Sequence, residues 1–210
     1  MTSAKGASPI VSNSPGAAIV RAPLILASAS PRRRALLEQI GVRPARIIAP
    51  EIDETVPAGE LPRDHAGRLA REKAVAVAGE NPDAYVLAAD TVVACGRRIL
   101  PKAEDPETAR RCLELISGRA HRVYTGVALA GPDERMRVRI VETRVRVKRL
   151  SAEEIAACLA SGEWRGKAGG YAIQGLFAAH VIALIGSYTN VVGLPLYETA
   201  NLLKGAGWRL

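Results

Sequence analysis

Aromatic residues are scarce in this 210-residue chain: Phe, Tyr and Trp together make up 4% of it. A surface that grips single-stranded nucleic acid needs stacking platforms, so the scarcity argues against that class. Cysteine is equally sparse. Cys95, Cys112 and Cys158 are odd in number, scattered and free of C-x-x-C spacing. That disfavours a disulfide framework or a zinc ribbon and leaves the reducing cytoplasm as the expected compartment. No run approaches the ~18 consecutive apolar residues of a membrane helix; the longest, Phe177–Ile185, is interrupted by His180. Acidic residues are in deficit, 21 against 29 Lys plus Arg, for a formal net charge of +8. A surplus of that size favours a polyanionic partner: nucleic acid, an anionic membrane surface or a phosphorylated small molecule.

What is present is an ordinary globular composition, 48% hydrophobic and 24% charged, at a length that suits one domain. Residues 1–22 are rich in Ser, Ala, Pro and Gly, with Lys5 and Arg21 their only charges. They read as a disordered tail ahead of a domain over 23–210. The domain opens with a strand at Leu24–Ala27. Ser30 as N-cap, Pro31 at the first helical position and Gly41 past the end then define a helix Pro31–Ile40. A second helix runs from about Asp64 to Ala78. Ala84–Ala94 is an apolar strand that turns near Gly96 into Ile99–Leu100. Pro106–Ile116 is helical, and Arg122–Ala130 and Arg135–Lys148 are strands around a Gly131-Pro132-Asp133 turn. Ser151 and Glu154 form a capping box for a helix ending near Gly162. A Gly-rich loop, a strand over Phe177–Ile185 and a helix near Leu196–Lys204 follow. Helices interleaved with hairpins predict an α/β fold: one domain with a mixed, partly antiparallel sheet flanked by helices.

Several familiar motifs fail. Gly166-Lys167 is no P-loop, because Ser161 stands where a glycine is required and Ala168 where a metal-binding hydroxyl is required. His65, His121 and His180 lack zinc spacing and read as structural. The Arg/Val alternation of Arg135–Lys148, with a phase change at Ile140-Val141, reads as a solvated basic face more readily than as a duplex-binding strand.

Two segments resist a structural explanation. In Ser28-Ala29-Ser30-Pro31-Arg32-Arg33-Arg34, three arginines crowd the first turn of a helix, where the macrodipole is already positive and each cation costs ~0.3–1 kcal/mol. An anion on the free N–H groups reverses that penalty, so Ser28, Ser30, Arg32 and Arg33 form a candidate phosphate site, with Arg34 left to solvent. Asp90 interrupts the apolar run Val86–Val93. A buried carboxylate requires a lysine, a metal ion or a raised pKa. Lys102, after the next short strand, is its expected partner across the hairpin, and one of Glu51, Asp53 and Glu54 is a candidate to share a divalent ion with it. Lys73 falls on the apolar face of the second helix, where a snorkelling stem is the simpler reading. The Gly166–Gly175 loop sets Lys167 and Gln174 in flexible backbone suited to close approach of a ligand, a weak signal by itself.

Taken together, Leu26-Ala27-Ser28-Ala29-Ser30-Pro31-Arg32-Arg33, Leu69-Ala70-Arg71-Glu72-Lys73-Ala74, Ala89-Asp90-Thr91-Val92, Gly166–Gly175, Gly186-Ser187-Tyr188 and Val191-Val192-Gly193-Leu194-Pro195 resemble the Maf family of nucleotide pyrophosphatases. The resemblance spans Leu24 to Leu203. It implies a metal-dependent hydrolase that cuts between the α and β phosphates of a nucleoside triphosphate, with Mg²⁺ or Mn²⁺ as the ion. Asp90 and Glu54 would hold the metal, and Asp90 would accept the proton of the attacking water, base and ligand roles being open between the two. Arg32, Arg33, Lys73, Lys102 and Lys167 would bind the substrate. Within the family, Arg, Thr and Gln at the positions of Arg32, Thr91 and Gln174 mark the dTTP/UTP branch, whereas a bulky aromatic, Gln and Glu mark the 7-methyl-GTP branch. The residue chemistry agrees: the Gln174 amide offers both an acceptor and a donor to the N3–H and carbonyl edge of uracil or thymine. The alternatives are a 7-methyl-GTP-type enzyme or a non-catalytic nucleic-acid-binding or septum-formation regulator. The expected partner is the nucleoside triphosphate, without a membrane and with nucleic acid disfavoured; a homodimer is left open.

Overall fold

The computed structural model describes residues 22–208 and 210. The predicted tail therefore lies outside the described residues, apart from Ala22. In chain order the elements are β1 (Leu24–Ala27), α1 (Pro31–Gln39), β2 (Arg46–Ile47), α2 (Pro62–Gly79), β3 (Tyr85–Cys95), β4 (Arg98–Leu100), β5 (Lys102–Ala103), α3 (Pro106–Ile116), β6 (Ala120–Ala130), β7 (Met136–Val147), α4 (Ala152–Ala160) and β8 (Lys167–Ala168). A 3-10 turn Leu176–His180, β9 (Val181–Ile185), α5 (Tyr188–Val192) and α6 (Leu196–Gly205) complete the chain.

The main sheet is mixed and runs β2-β1-β3-β6-β7-β9, with β4 also on β3. β1 pairs in parallel with β2 and β3, and β3, β6, β7 and β9 pair antiparallel in succession. Strand alternation sorts the side chains into two layers. Leu87, Ala89 and Val93 of β3 face the larger core with α1, α3, α4, α5 and α6, whereas Val86 and Ala88 face α2 through Ala70, Ala74 and Val77. Close approach of α2 depends on missing side chains beneath it. A Cβ on Gly126 of β6 would sit 2.2 Å from the Ala66 carbonyl oxygen, and one on Gly67 would sit 2.6 Å from Ile140 Cδ1.

The edge of β3 is shared. β1 covers Tyr85–Ala88 and β4 covers Val93–Cys95 on the same side, so Ala89–Val92 have no strand beside them there. Asp90 and Thr91 lie in this gap, beyond the carboxyl end of β1, where open α/β sheets place their ligands.

Two expectations need correction. Phe177–Ile185 is not one strand; its first half is the 3-10 turn, and Val181 begins β9. α5, in a segment expected to be loop, is helical and is capped by the Ser187 hydroxyl accepting from the Asn190 N–H. The phase change in β7 leaves its pairing with β6 unbroken from Met136 to Arg146. What changes is the covered face: Met136 and Val138 pack on the α2 side, and Val145 and Val147 on the other.

Candidate active site

A cleft of about 500 Å³ opens at the gap in β3, within the usual range for small-molecule sites. Its walls come from the β1–α1 junction, the loop before α2, the middle of β3, Lys102, the Gly166–Gln174 segment and the end of α5.

At the floor, strand alternation turns Asp90 towards α2 and Thr91 towards the opposite layer. Asp90 is 4% exposed and Lys73 8%. Lys73 Nζ donates to Asp90 Oδ1 and to Glu54 Oε1, each at 2.6 Å. Lys102 Nζ donates to the other Glu54 oxygen. Burial raises the Glu54 pKa, but the hydrogen bonds from Lys102 and Lys73 outweigh it and hold the group at about 2. Among the described residues no hydrogen bond reaches Asp90 Oδ2, which leaves that oxygen available to a ligand or water.

The two arginines of α1 behave differently. Arg33 is committed to the protein: Nε donates to the Gly193 carbonyl at 2.8 Å, Nη1 to Ser28 Oγ at 3.0 Å and Nη2 to Thr91 Oγ1 at 3.1 Å. Arg32 spends only Nε, on the Val192 carbonyl at 3.4 Å, and its Nη groups have no partner among the described residues. Burial lowers the pKa of both guanidinium groups; at Arg33 the charges of Asp90 and Glu54 oppose the shift and Arg32 adds to it. Ser30 stands at the N-cap position, yet its side chain makes no capping bond. Its N–H donates to Ser28 Oγ at 3.3 Å instead. Arg34 is exposed and pairs with Glu38.

The far wall is held by the small β5–β8 ladder, which sets Lys102 opposite Ala168 and Ala103 opposite Lys167. Burial lowers the Lys167 pKa and the nearby Arg32 charge lowers it further. Two cations that repel across a cleft are relieved by an anion between them. Positive φ at Gly169 and Gly170 (73° and 71°) lets the loop fold over Val93 and α3, where a Cβ on Gly169 would sit 2.8 Å from Val93 Cγ1. Gln174 is exposed on the cleft wall.

A family model described as Maf-like protein matches residues 23–206. The chain belongs to the Maf family. A relative named dTTP/UTP pyrophosphatase from Paramagnetospirillum magneticum is 63% identical over 185 residues, 88% of this chain and 97% of that protein. Another so named, from Maricaulis maris, is 62% identical over 191 residues, 91% of each. Among solved structures, a HAM1 protein from Coxiella burnetii is 15% identical over 88% of this chain and 99% of that one, with a TM-score of 0.49.

In this Maf protein every expected site residue lines the one cleft: Ser28, Ser30, Arg32, Arg33, Glu54, Lys73, Asp90, Thr91, Lys102, Lys167 and Gln174. Glu51 and Asp53 do not; the Asp53 carboxylate accepts the Thr55 N–H at 2.8 Å. The partner of Asp90 is Lys73 rather than Lys102, because α2 lies directly over the strand while Lys102 reaches only Glu54. Lys73 therefore does not snorkel. The sequence reading missed Tyr171 and Ile173 as wall residues and the arginine-orienting carbonyls of Val192 and Gly193. The carbonyls carry no side-chain signal, and their only trace is the Val191–Pro195 motif.

Proposed function

We propose that this cleft hydrolyses dTTP and UTP to the nucleoside monophosphate and pyrophosphate. The observation that carries the reading is a charge imbalance in one enclosed place: Arg32, Arg33, Lys73, Lys102 and Lys167 surround only Glu54 and Asp90. A triphosphate brings the missing negative charge. Relatives named dTTP/UTP pyrophosphatase at 63% and 62% identity support the substrate class.

Arg32, Lys102 and Lys167 bind the phosphate chain, and Arg33 holds Ser28 and Thr91 in place beneath it. Asp90 Oδ2 takes the proton of the attacking water while Lys73 fixes the carboxylate through Oδ1. Gln174 contacts the base, where its amide matches the donor–acceptor edge of a pyrimidine.

Mg²⁺ or Mn²⁺ is the proposed cofactor, and the donor set fits it. Asp90 Oδ2 accepts no hydrogen bond among the described residues and each Glu54 oxygen accepts only one, so both carboxylates keep lone pairs for a hard ion beside the Lys73 ammonium. Among the described residues no group of three or more His, Cys, Asp or Glu forms; a hard ion bound by one or two carboxylates and the substrate's own phosphates needs none. When bound, the ion would neutralise phosphate oxygens.

The test is pyrophosphate release from dTTP, UTP and 7-methyl-GTP, with and without EDTA. Turnover of the two pyrimidines that EDTA abolishes is the expected result. Gln174→Glu should lower kcat/KM for dTTP and UTP by about one to two decades, since an acceptor then faces a carbonyl. Equal loss on 7-methyl-GTP removes Gln174 from base reading, and preferential turnover of 7-methyl-GTP by the unaltered protein overturns the substrate choice.

A further inference from the structure

Behind the cleft, one strand further into the sheet, lies a polar group with no direct access to a ligand. Thr125 of β6 is fully buried and paired in register with Thr91 of β3. Its hydroxyl lies 3.0 Å from Thr91 Oγ1 and donates to the Asn190 carbonyl of α5 at 3.1 Å. A carbonyl only accepts, so the one Thr125 proton belongs to Asn190, and Thr125 Oγ1 must accept the proton of Thr91. Thr91 Oγ1 is then left with lone pairs for Arg33 Nη2, its third neighbour at 3.1 Å. The hydrogen bonds run in one direction, from guanidinium to Thr91, to Thr125, to the Asn190 carbonyl, and each link polarises the next.

The far end of this chain is anchored. The fully buried Asn190 side chain donates to the Val123 carbonyl at 3.0 Å and to Thr143 Oγ1 at 2.9 Å, tying α5 to β6 and β7. The same short helix ends in the carbonyls that receive Arg32 and Arg33. Without the Thr125 hydroxyl, the Thr91 proton has only the Gly193 carbonyl at 3.4 Å, an acceptor already used by Arg33. Valine has nearly the volume of threonine, so packing alone does not require a hydroxyl here.

We propose that Thr125 is a positioning residue: its hydroxyl sets the Thr91 proton and, through Thr91 and α5, the orientation of Arg33 at the cleft. This rests on the reading of the cleft as a triphosphate site. Thr125→Val removes the hydroxyl at nearly constant volume, and Thr125→Ser keeps it while losing the methyl. The expected result is that Thr125→Val raises KM for dTTP about tenfold with kcat within about twofold, the signature of lost binding in ground and transition states alike. It should also speed hydrogen–deuterium exchange of residues 188–193 by about tenfold. Thr125→Ser should stay close to the unaltered protein in both. Thr125→Ala beside Thr125→Ser repeats the comparison with the methyl absent from both, should the valine variant fail to fold. The reverse order, with valine silent and serine impaired, means that Thr125 only fills space and overturns the proposal. If the unaltered protein turns over no nucleoside triphosphate, the substrate reading fails, while the exchange measurement still decides the role of Thr125.

Discussion

At the scale of single residues, two adjacent arginines on one helical turn have different work. Arg33 ties β1, β3 and the end of α5 together through Ser28, Thr91 and Gly193, while Arg32 keeps its Nη groups for the cleft. The sequence presented them as equivalent misplaced cations; only the tertiary fold, which brings Gly193 beside residue 33, separates them. Arg33→Ala should therefore lower the thermal midpoint, since several part-buried polar groups lose a charged partner at about 1–3 kcal/mol each. Arg32→Ala should leave the midpoint near that of the unaltered protein and raise KM for dTTP. Thermal scans beside initial-rate kinetics on both variants check this, and equal destabilisation would remove the distinction. Asp90→Asn keeps the side-chain shape but removes the charge that faces Lys73 and that is proposed to take the proton of the attacking water. Turnover should fall by ~10²-fold or more in a protein that still folds, and near-normal kcat would take Asp90 out of the chemistry.

At the scale of elements, the placement of α2 matters most, because it brings Lys73 onto Asp90. Gly126 is opposite Asp90 in the β3–β6 ladder, and a side chain there would meet the α2 backbone at 2.2 Å. Gly126→Ala should cost about 1–3 kcal/mol through overpacking and depress turnover as well, since the shift it forces passes to Lys73. Denaturant unfolding and a dTTP assay measure the two effects. Nothing local marks this glycine in the sequence: it sits in an apolar strand with an ordinary negative φ, and its need is set by a helix some sixty residues earlier. What was legible follows the same logic. α1, α3 and α4 announced themselves through Pro31, Pro106 and the Ser151–Glu154 box, because caps and first-turn prolines are local chemistry. The two-residue strands β2, β5 and β8 and the short α5 were not legible, since they exist only through pairing or packing with distant segments. The 3-10 turn at Leu176–His180 was hidden because its apolar run reads like a strand, although only Phe177 is buried and Leu176, Ala178 and Ala179 are exposed.

At the scale of the whole molecule, acid tolerance turns on a histidine away from the cleft floor. His121 is 1% exposed, bonded through Nε2 to the Tyr171 hydroxyl at 2.7 Å, and burial lowers its pKa from 6.5 to about 4. Between those values the unfolded chain takes up a proton that the folded chain refuses, so stability falls as pH is lowered from 6.5 towards 4. Glu54 adds a lower window: its contribution is present above about pH 4.5 and is lost as pH falls towards about 2. Denaturant unfolding at pH 7, 6 and 5 should show the first decline, and His121→Leu, weaker at pH 7, should show a flatter slope. A mechanical consequence follows from the break along β3. Among the described residues, no backbone hydrogen bond joins the wall of residues 24–48 to the wall formed by 98–103 and 166–175. Within the sheet the two walls meet only through β3, so spreading them breaks no rung of it. Side-chain packing still joins the walls, since Leu26, Leu36 and Leu37 share one core with Leu100, Tyr171 and Ile173, so a change of aperture is a matter of repacking and not of breaking the sheet. Under the proposed function, discrimination between bases is expected from polar matching at the rim, where Gln174 stands.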